Sequence, residues 1–401
     1  MSSSLPPPTL VQDASGFHRM LDDLSGQREI AVDTEADSFY CYREKVCLIQ
    51  VTVEDRDYLV DPLAGFDITE LGRLLADPGR TKVFHDGEYD ILLFKRRYGF
   101  GFANLFDTRV AAAALGSPNP GLANVLRDRY GIELDKSMQR SNWAQRPLTD
   151  KQVRYARLDT RFLLDLMREQ RRDLEKLGRM HFVEGECWRL ERIEPPDDSF
   201  DPDEFVRLKG ARTLDPDGRQ ALRELYIWRE KTAEAADDPP FRILQNENLL
   251  EIAALRPRDW SALSRVPNFS PKVLARHGEA ILAALERARE LGPLRHFPQL
   301  PNREGTSGMD EAQVELHERL KNCRKDLAAR IGIDSAYLLN RHVLVRIAKL
   351  QPRTLEQLEG IEGLLPWQVR DYGSALLEVI RRFEADLASG AIPQGRRPGR
   401  R

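Results

Sequence analysis

Two acidic residues, Asp33 and Glu35, stand two apart in the run VDTEA. On a strand, both side chains point to the same face of the sheet. Neighbouring carboxylates repel one another, so an uncompensated pair is costly. A hard divalent cation with oxygen ligands offsets that cost, although a solvent-facing strand end would explain the pair as well. A third acid, Asp90, follows in FHDGEYDILLF at or near a helix start, where the helix dipole alone favours a negative charge. Asp86 and Glu88 compete with it; Asp90 is preferred because Ile91, Leu92 and Phe94 tether its helix to the sheet. Tyr155 and Asp159, in YARLDT, lie four apart and share a helix face. Together Asp33, Glu35, Asp90 and Asp159 make the set that two-metal phosphodiester hydrolysis needs. In that chemistry one cation activates water and the other, roughly 3.5–4 Å away, stabilises the leaving oxygen. Tyr155 would orient or help deprotonate the water.

A sheet and two helices must bring these residues together. REIAVDTEA (28–36) reads as a strand, and VCLIQVTV and DYLVDP form an antiparallel hairpin around Glu54-Asp55-Arg56. TKVFH and NLFDT read as two further strands. Between them, Asp90 to Tyr98 has helical register. Asp107 or Thr108 caps the helix RVAAAAL, which Gly116 ends. Thr149 and Gln152 have capping-box spacing, opening an amphipathic helix that runs to about Leu177. This order predicts an α/β N-terminal domain, a ribonuclease H-like mixed sheet flanked by helices.

The acidic Pro-rich stretch Ile193 to Glu204 reads as a linker. Beyond it, residues around Trp228 to Ile281 align without a gap on those around Cys323 to Leu376. Arg229 falls on Arg324, Leu244 on Leu339, Pro257 on Pro352 and Gly278 on Gly373. Both copies read as short helices with no strand signal, so two all-α bundles follow the first domain. The expected boundaries are 1–195, 203–292 and 308–390, with a basic tail at 391–401.

At 401 residues with 41% hydrophobic and 31% charged side chains, the composition is that of a soluble globular chain. No apolar run is long enough for a bilayer, and MSSSLPPPTL lacks the features of a signal peptide. Cys41, Cys47, Cys187 and Cys323 show no Cys-x-x-Cys spacing, which points away from structural zinc and disulfides and toward a reducing cytoplasm. A net charge of −3 does not announce a nucleic-acid binder, so positive charge would have to be concentrated locally. GRRPGRR is one such concentration.

VDTEA, FHDGEYDILLF and YARLDT resemble the three motifs of the DEDD exonuclease superfamily, in its Tyr-containing subgroup. LDKSMQRSNWAQRPLTDKQVRYARLD resembles the ribonuclease D family, and the repeated bundles resemble its tandem HRDC domains. The resemblance implies that Asp33, Glu35, Asp90 and Asp159 bind two Mg²⁺ or Mn²⁺ ions and that Tyr155 positions water. It further implies a 3′-to-5′ exoribonuclease that hydrolyses single-stranded RNA 3′ ends to nucleoside 5′-monophosphates, in maturation of tRNA precursors and other stable RNAs. Asp86, Glu88 and Tyr89 make the second motif more acidic and bulkier than is usual in the family. Lys136, Arg140, Trp143 and Arg146 could touch phosphate or stack on a base. So could basic residues of the bundles, including Arg223, Arg229, Lys231, Arg324 and Lys325. His85 is expected to close its strand by hydrogen bonding. The alternatives are a DNA 3′-to-5′ exonuclease and a non-catalytic RNA-binding scaffold. A cytoplasmic monomer with no membrane contact is expected.

Overall fold

The computed structural model describes residues 6–298, 300 and 309–391, so the basic tail GRRPGRR lies outside the described residues. These fall into two compact units, one drawn from residues 1–35, 46–195 and 302–401, the other from 36–45 and 196–301.

The first unit is built on six strands: β1 (Thr9–Val11), β2 (Glu29–Ala36), β3 (Val46–Val53), β4 (Arg56–Val60), β5 (Thr81–Phe84) and β6 (Leu105–Asp107). They lie in the order β1-β4-β3-β2-β5-β6. The hairpin expected around residues 54–56 is present as antiparallel β3 and β4, with Val53 opposite Arg56. β2, β5 and β6 run parallel, so the sheet is mixed. All of β3 is buried, as a strand covered on both faces must be, and its apolar run reflects that. β1 was not foreseen: three residues after a Pro-rich start carry little pattern, and their pairing partner is β4, which they meet in parallel.

Helices α1 (Ala14–Ser25), α2 (Thr69–Ala76), α3 (Glu88–Tyr98), α4 (Thr108–Ala114) and α5 (Leu122–Tyr130) flank the sheet, followed by α6 (Asp150–Arg161), α7 (Leu163–Leu177) and α8 (Met180–Arg192). The single long helix expected from Thr149 is two. Its capping box forms as read, but the helix breaks at Phe162, whose N–H closes back onto the Thr160 carbonyl instead of continuing the ladder. Phe162 then serves as the N-cap of α7.

The same unit contains the second bundle, α14 (Glu311–Ile331), α15 (Ser335–Leu338), α16 (Arg341–Leu350), α17 (Leu355–Glu359) and α18 (Pro366–Ala388). Trp367 of α18 packs edge-on against Phe182 of α8, 4.7 Å between ring centroids. A Cβ on Gly185 of α8 would collide with the same indole, so glycine there permits the close approach. Arg179 donates to the carbonyls of Ala114 and Ile331, tying the ends of α4 and α14 together.

The second unit holds the first bundle, α9 (Pro216–Ala236), α10 (Pro240–Ile243), α11 (Asn246–Leu255), α12 (Trp260–Leu263) and α13 (Pro271–Leu291). Its core includes Phe205, Leu222, Leu225, Ile252 and Ile281. Every helix of this bundle has its counterpart in α14–α18, as the gapless repeat requires. No helix among the described residues is long and apolar enough to cross a membrane.

Candidate active site

β2 carries Asp33 and Glu35 near its C-terminal end, both partly buried, with buried Thr34 between them. The Thr34 hydroxyl donates to the carboxylate of Asp90, which seats the first turn of α3 against this strand. Asp90 is buried. Its competitors in the motif are engaged elsewhere: Asp86 with Arg109 at 2.8 Å, and Glu88 with Arg189.

Asp107 fixes the entry to α3. Its buried carboxylate accepts the N–H groups of Gly87 (2.8 Å) and Asp86 (3.1 Å), as well as those of Arg109 (2.8 Å) and Val110 (3.1 Å). Capping α4 was legible in sequence; holding the loop before α3 was not. Asp86 in that loop has φ 65, a left-handed conformation that such donors help to hold. Gly87 could not carry a side chain, since a Cβ would come within 2.6 Å of Phe84. His85 closes its strand as expected, with Nδ1 2.8 Å from the Thr108 hydroxyl, and burial lowers its pKa to about 4.

Tyr155 and Asp159 project from one face of α6. On the reverse face Arg157 Nε donates to Asp57 of β4 at 2.6 Å. The Thr52 hydroxyl bonds both Asp57 (2.9 Å) and Thr160 (2.8 Å). These buried polar contacts fix the rotation of α6 over the sheet. Gln139 hydrogen-bonds the Tyr155 side chain, and the Tyr155 ring packs against Trp143, 6.0 Å between centroids.

Electrostatics show that the four carboxylates feel one another. Burial raises the pKa of Asp33 far above the usual range, and Asp90, Asp159 and Glu35 raise it further. Glu35 is pushed up to about 10 by burial, then by Asp159 and Asp90. Asp90 and Asp159 are raised too, chiefly by burial. One oxygen of Asp159, Oδ2, is buried with no hydrogen-bond partner. Burial and the nearby carboxylates likewise keep Tyr155 protonated far above its ordinary range. Clustered, desolvated acids with an unpartnered oxygen are what a bound cation would compensate. Among the described residues no three His, Cys, Asp or Glu side chains stand arranged to hold a metal ion, so the fit rests on this donor chemistry.

Two residues considered for RNA contact have structural work instead. Trp143 is 1% exposed, within a cluster of Cys47, Leu48, Leu59 and Ala156, and offers no face to a base. Arg146 donates to both oxygens of Asp61 (2.6 and 2.7 Å) and to the carbonyls of Trp143 and Cys47. Arg140 is exposed, and the side chain of Lys136 lies outside the described residues. In the bundles, Arg229 and its counterpart Arg324 donate to equivalent carbonyls, Leu244 and Leu339, so their recurrence is a packing feature. Arg223 pairs with Asp203, while Lys231 and Lys325 are exposed.

Comparison with known proteins places this arrangement. A 3′-5′ exonuclease family matches residues 8–175, and an HRDC domain family matches 219–285 and 313–380. The chain is 32% identical over 292 residues to a ribonuclease D of Gluconacetobacter diazotrophicus, spanning 72% of this chain and 74% of that one. It is 30% identical to a ribonuclease D of Acidiphilium cryptum, spanning 94% of each. The crystal structure of ribonuclease D from Escherichia coli superposes with a TM-score of 0.68 at 24% identity, over 94% of this chain and 99% of that one.

Proposed function

The chain belongs to the ribonuclease D family of 3′-to-5′ exoribonucleases, and from that premise we propose that Asp33, Glu35, Asp90 and Asp159 are its metal ligands and Tyr155 its water-positioning residue. The family depends on divalent metal; here we propose two ions, Mg²⁺ or Mn²⁺. When bound, they supply an activated water and charge compensation at the leaving 3′ oxygen. The observation that carries the assignment is the cluster of mutually repelling, partly buried carboxylates with its unpartnered buried Asp159 oxygen.

The chain's own residues do the positioning. Thr34 holds Asp90 against β2, and Asp107 holds the loop that launches α3. Tyr155, kept protonated by burial and then by its acidic surroundings, can donate its hydroxyl hydrogen to a water or phosphate oxygen. Its tethers through Gln139 and Trp143 restrict its rotation, and reacting groups held in place lower the barrier.

The proposed substrates are single-stranded RNA 3′ ends, released as nucleoside 5′-monophosphates, including those of tRNA precursors. The Escherichia coli relative is described as an exoribonuclease involved in structured RNA processing, which supports this class. Four cysteines outside any disulfide, three of them buried, support a reducing cytoplasm, and we propose a monomer. We assign residues 1–195 to the exonuclease domain, 203–292 and 308–390 to the two HRDC domains, and 391–401 to a basic tail.

The test is stepwise shortening of end-labelled RNA and DNA with Mg²⁺ or Mn²⁺, comparing wild type with Asp33→Asn. RNA shortened by wild type alone is the expected result. Preference for DNA, or binding without shortening in either metal, overturns it.

A further inference from the structure

The loop that launches α3 has a backbone that few side chains would choose. Asp86 holds φ 65, a conformation costly for any residue with a Cβ, and Gly87 presses on Phe84. From within, Asp107 accepts the N–H groups of both. From outside, the carboxylates of Asp86 and Glu88 are each taken by an arginine. Arg109, in the first turn of α4, reaches Asp86 at 2.8 Å, and Arg189 of α8 reaches Glu88. Arg189 is itself anchored on Glu186, at 2.7 and 2.9 Å.

Both arginines stand where the second HRDC bundle meets the nuclease fold. α15 lies against α4. A cavity of about 120 Å³ is lined by Glu186 and Arg189 from the nuclease side and by Tyr337, Asn340 and Trp367 from the bundle. Tyr337 of α15 is half-buried. Burial pushes its hydroxyl pKa up, Arg109 draws it down, and Asp86 and Asp107 push it up again. Its ring therefore stands within the field of the Asp86–Arg109 pair.

These residues are not what the repeat itself needs. The two bundles share their cores: Leu338 and Leu339 fall on Ile243 and Leu244, Ile347 on Ile252 and Leu376 on Ile281, all buried. At the docked positions they part. Tyr337 falls on Arg242, Leu365 on Ser270 and Trp367 on Lys272, and these three counterparts are exposed. A tyrosine kept for bundle packing would recur; this one has its use outside the bundle.

We propose that the second bundle is a positioning element for the metal site, acting through Tyr337 and the Asp86–Arg109 pair to hold the loop that sets Asp90. The proposal rests on the assignment of Asp90 as a metal ligand. Tyr337 confines Arg109, Arg109 holds Asp86, and Asp86 lies four residues before Asp90 at the entry to its helix. An ion pair this open, its side chains 39% and 59% exposed, contributes little to folding. Its use is orientation, since residues behind a metal ligand fix the direction in which its oxygen points.

The experiment measures Mn²⁺ binding to the full chain directly, from the electron paramagnetic resonance of the free ion, alongside kcat, RNA affinity in EDTA and Tm. Arg109→Ala, Asp86→Asn and Tyr337→Ala are each expected to weaken Mn²⁺ binding and lower kcat about tenfold, with Tm and RNA affinity near wild type. Asn suits position 86 because it tolerates the left-handed backbone. Raising Mn²⁺ should recover part of the lost kcat, and Arg109→Lys should recover part of both losses. Tyr337→Ala combined with Asp86→Asn should lose no more than the larger single loss; additive losses overturn the route through the loop. A lowered Tm with unchanged Mn²⁺ affinity makes the docking structural only and overturns the proposal. If wild type binds Mn²⁺ and shortens RNA while all three variants match it, the proposal fails and the assignment of Asp90 stands. An Asp90→Asn variant that binds Mn²⁺ like wild type removes that assignment, and the proposal with it.

Discussion

Arg157 Nε reaches Asp57 Oδ2 at 2.6 Å on the side of α6 facing away from Tyr155 and Asp159. Both side chains are nearly inaccessible to water, so the Arg157 charge depends on Asp57, which Arg161 also approaches at 3.7 Å. Breaking a buried pair from one side leaves an uncompensated charge. Arg157→Leu is therefore expected to cost about 3 kcal/mol, read from urea unfolding. Arg157→Leu with Asp57→Leu should recover part of that loss. If the double variant is less stable than wild type by the full sum of the losses in Arg157→Leu and Asp57→Leu alone, the pair is not coupled.

Asp107 organises two helix starts with one carboxylate. Asp107→Ala removes an acceptor from four backbone N–H groups, at an expected cost of about 3 kcal/mol, given caps worth ~1 kcal/mol each and buried donors left unmade. Because the loop before Asp90 loosens, kcat should fall at least tenfold while RNA affinity in EDTA stays near wild type. Asp107→Asn, which retains one acceptor oxygen, should recover part of both. Equal losses in kcat and RNA affinity would argue for general unfolding.

The carboxylate cluster makes metal a stabilising ligand. A cation that binds the folded state alone raises the melting temperature by mass action, so Mn²⁺ is expected to raise Tm in wild type and not in Asp33→Asn. Without metal the order should reverse, Asp33→Asn melting above wild type, because one of the mutually repelling acids is gone. A variant that still gains Tm from Mn²⁺ would take Asp33 out of the ligand set.

The residues that carry this chemistry were legible because their spacing has a period. Asp33 and Glu35 on alternating strand positions, and Tyr155 and Asp159 one helical turn apart, announce a shared face before any fold is known. Loop side chains announce nothing similar. Arg146 and Trp143 lie in a polar, basic stretch that suits RNA contact, yet their directions are set by Asp61 and Cys47, far away in sequence. Thr34 lies between two acids with no spacing signal of its own, and its bond to Asp90 exists only once α3 is docked. Strand β1 was missed for the same reason, since three residues have no pattern of their own and take their conformation from β4.

Lys82 carries a pH dependence of its own. Its side chain is 0% exposed and donates to the carbonyls of Asp77 (2.6 Å) and Arg80 (2.7 Å). Burial lowers its pKa from 10.5 to about 8. The unfolded chain therefore holds the proton more tightly than the fold between these values, and stability rises with pH across that window. The contribution is fully present above 10.5 and lost as pH falls through about 8, a span of about 3 kcal/mol. Lys82→Met should lack this rise, so its stability relative to wild type falls as pH goes from 8 to 10.5. Parallel pH curves for the two proteins would show that Lys82 keeps an ordinary affinity for its proton.

The packing of Trp367 onto Phe182 and Gly185 also bears on how the chain is made. On the ribosome the sheet and α8 emerge first, then the whole of the first bundle, and only afterwards α18. Until then the surface around Phe182 has no indole to cover it, and the nuclease unit waits, incomplete, through the synthesis of a unit that can close by itself. Stop codons between residues 301 and 366 should therefore yield sticky, chaperone-bound products although every proposed metal ligand is present.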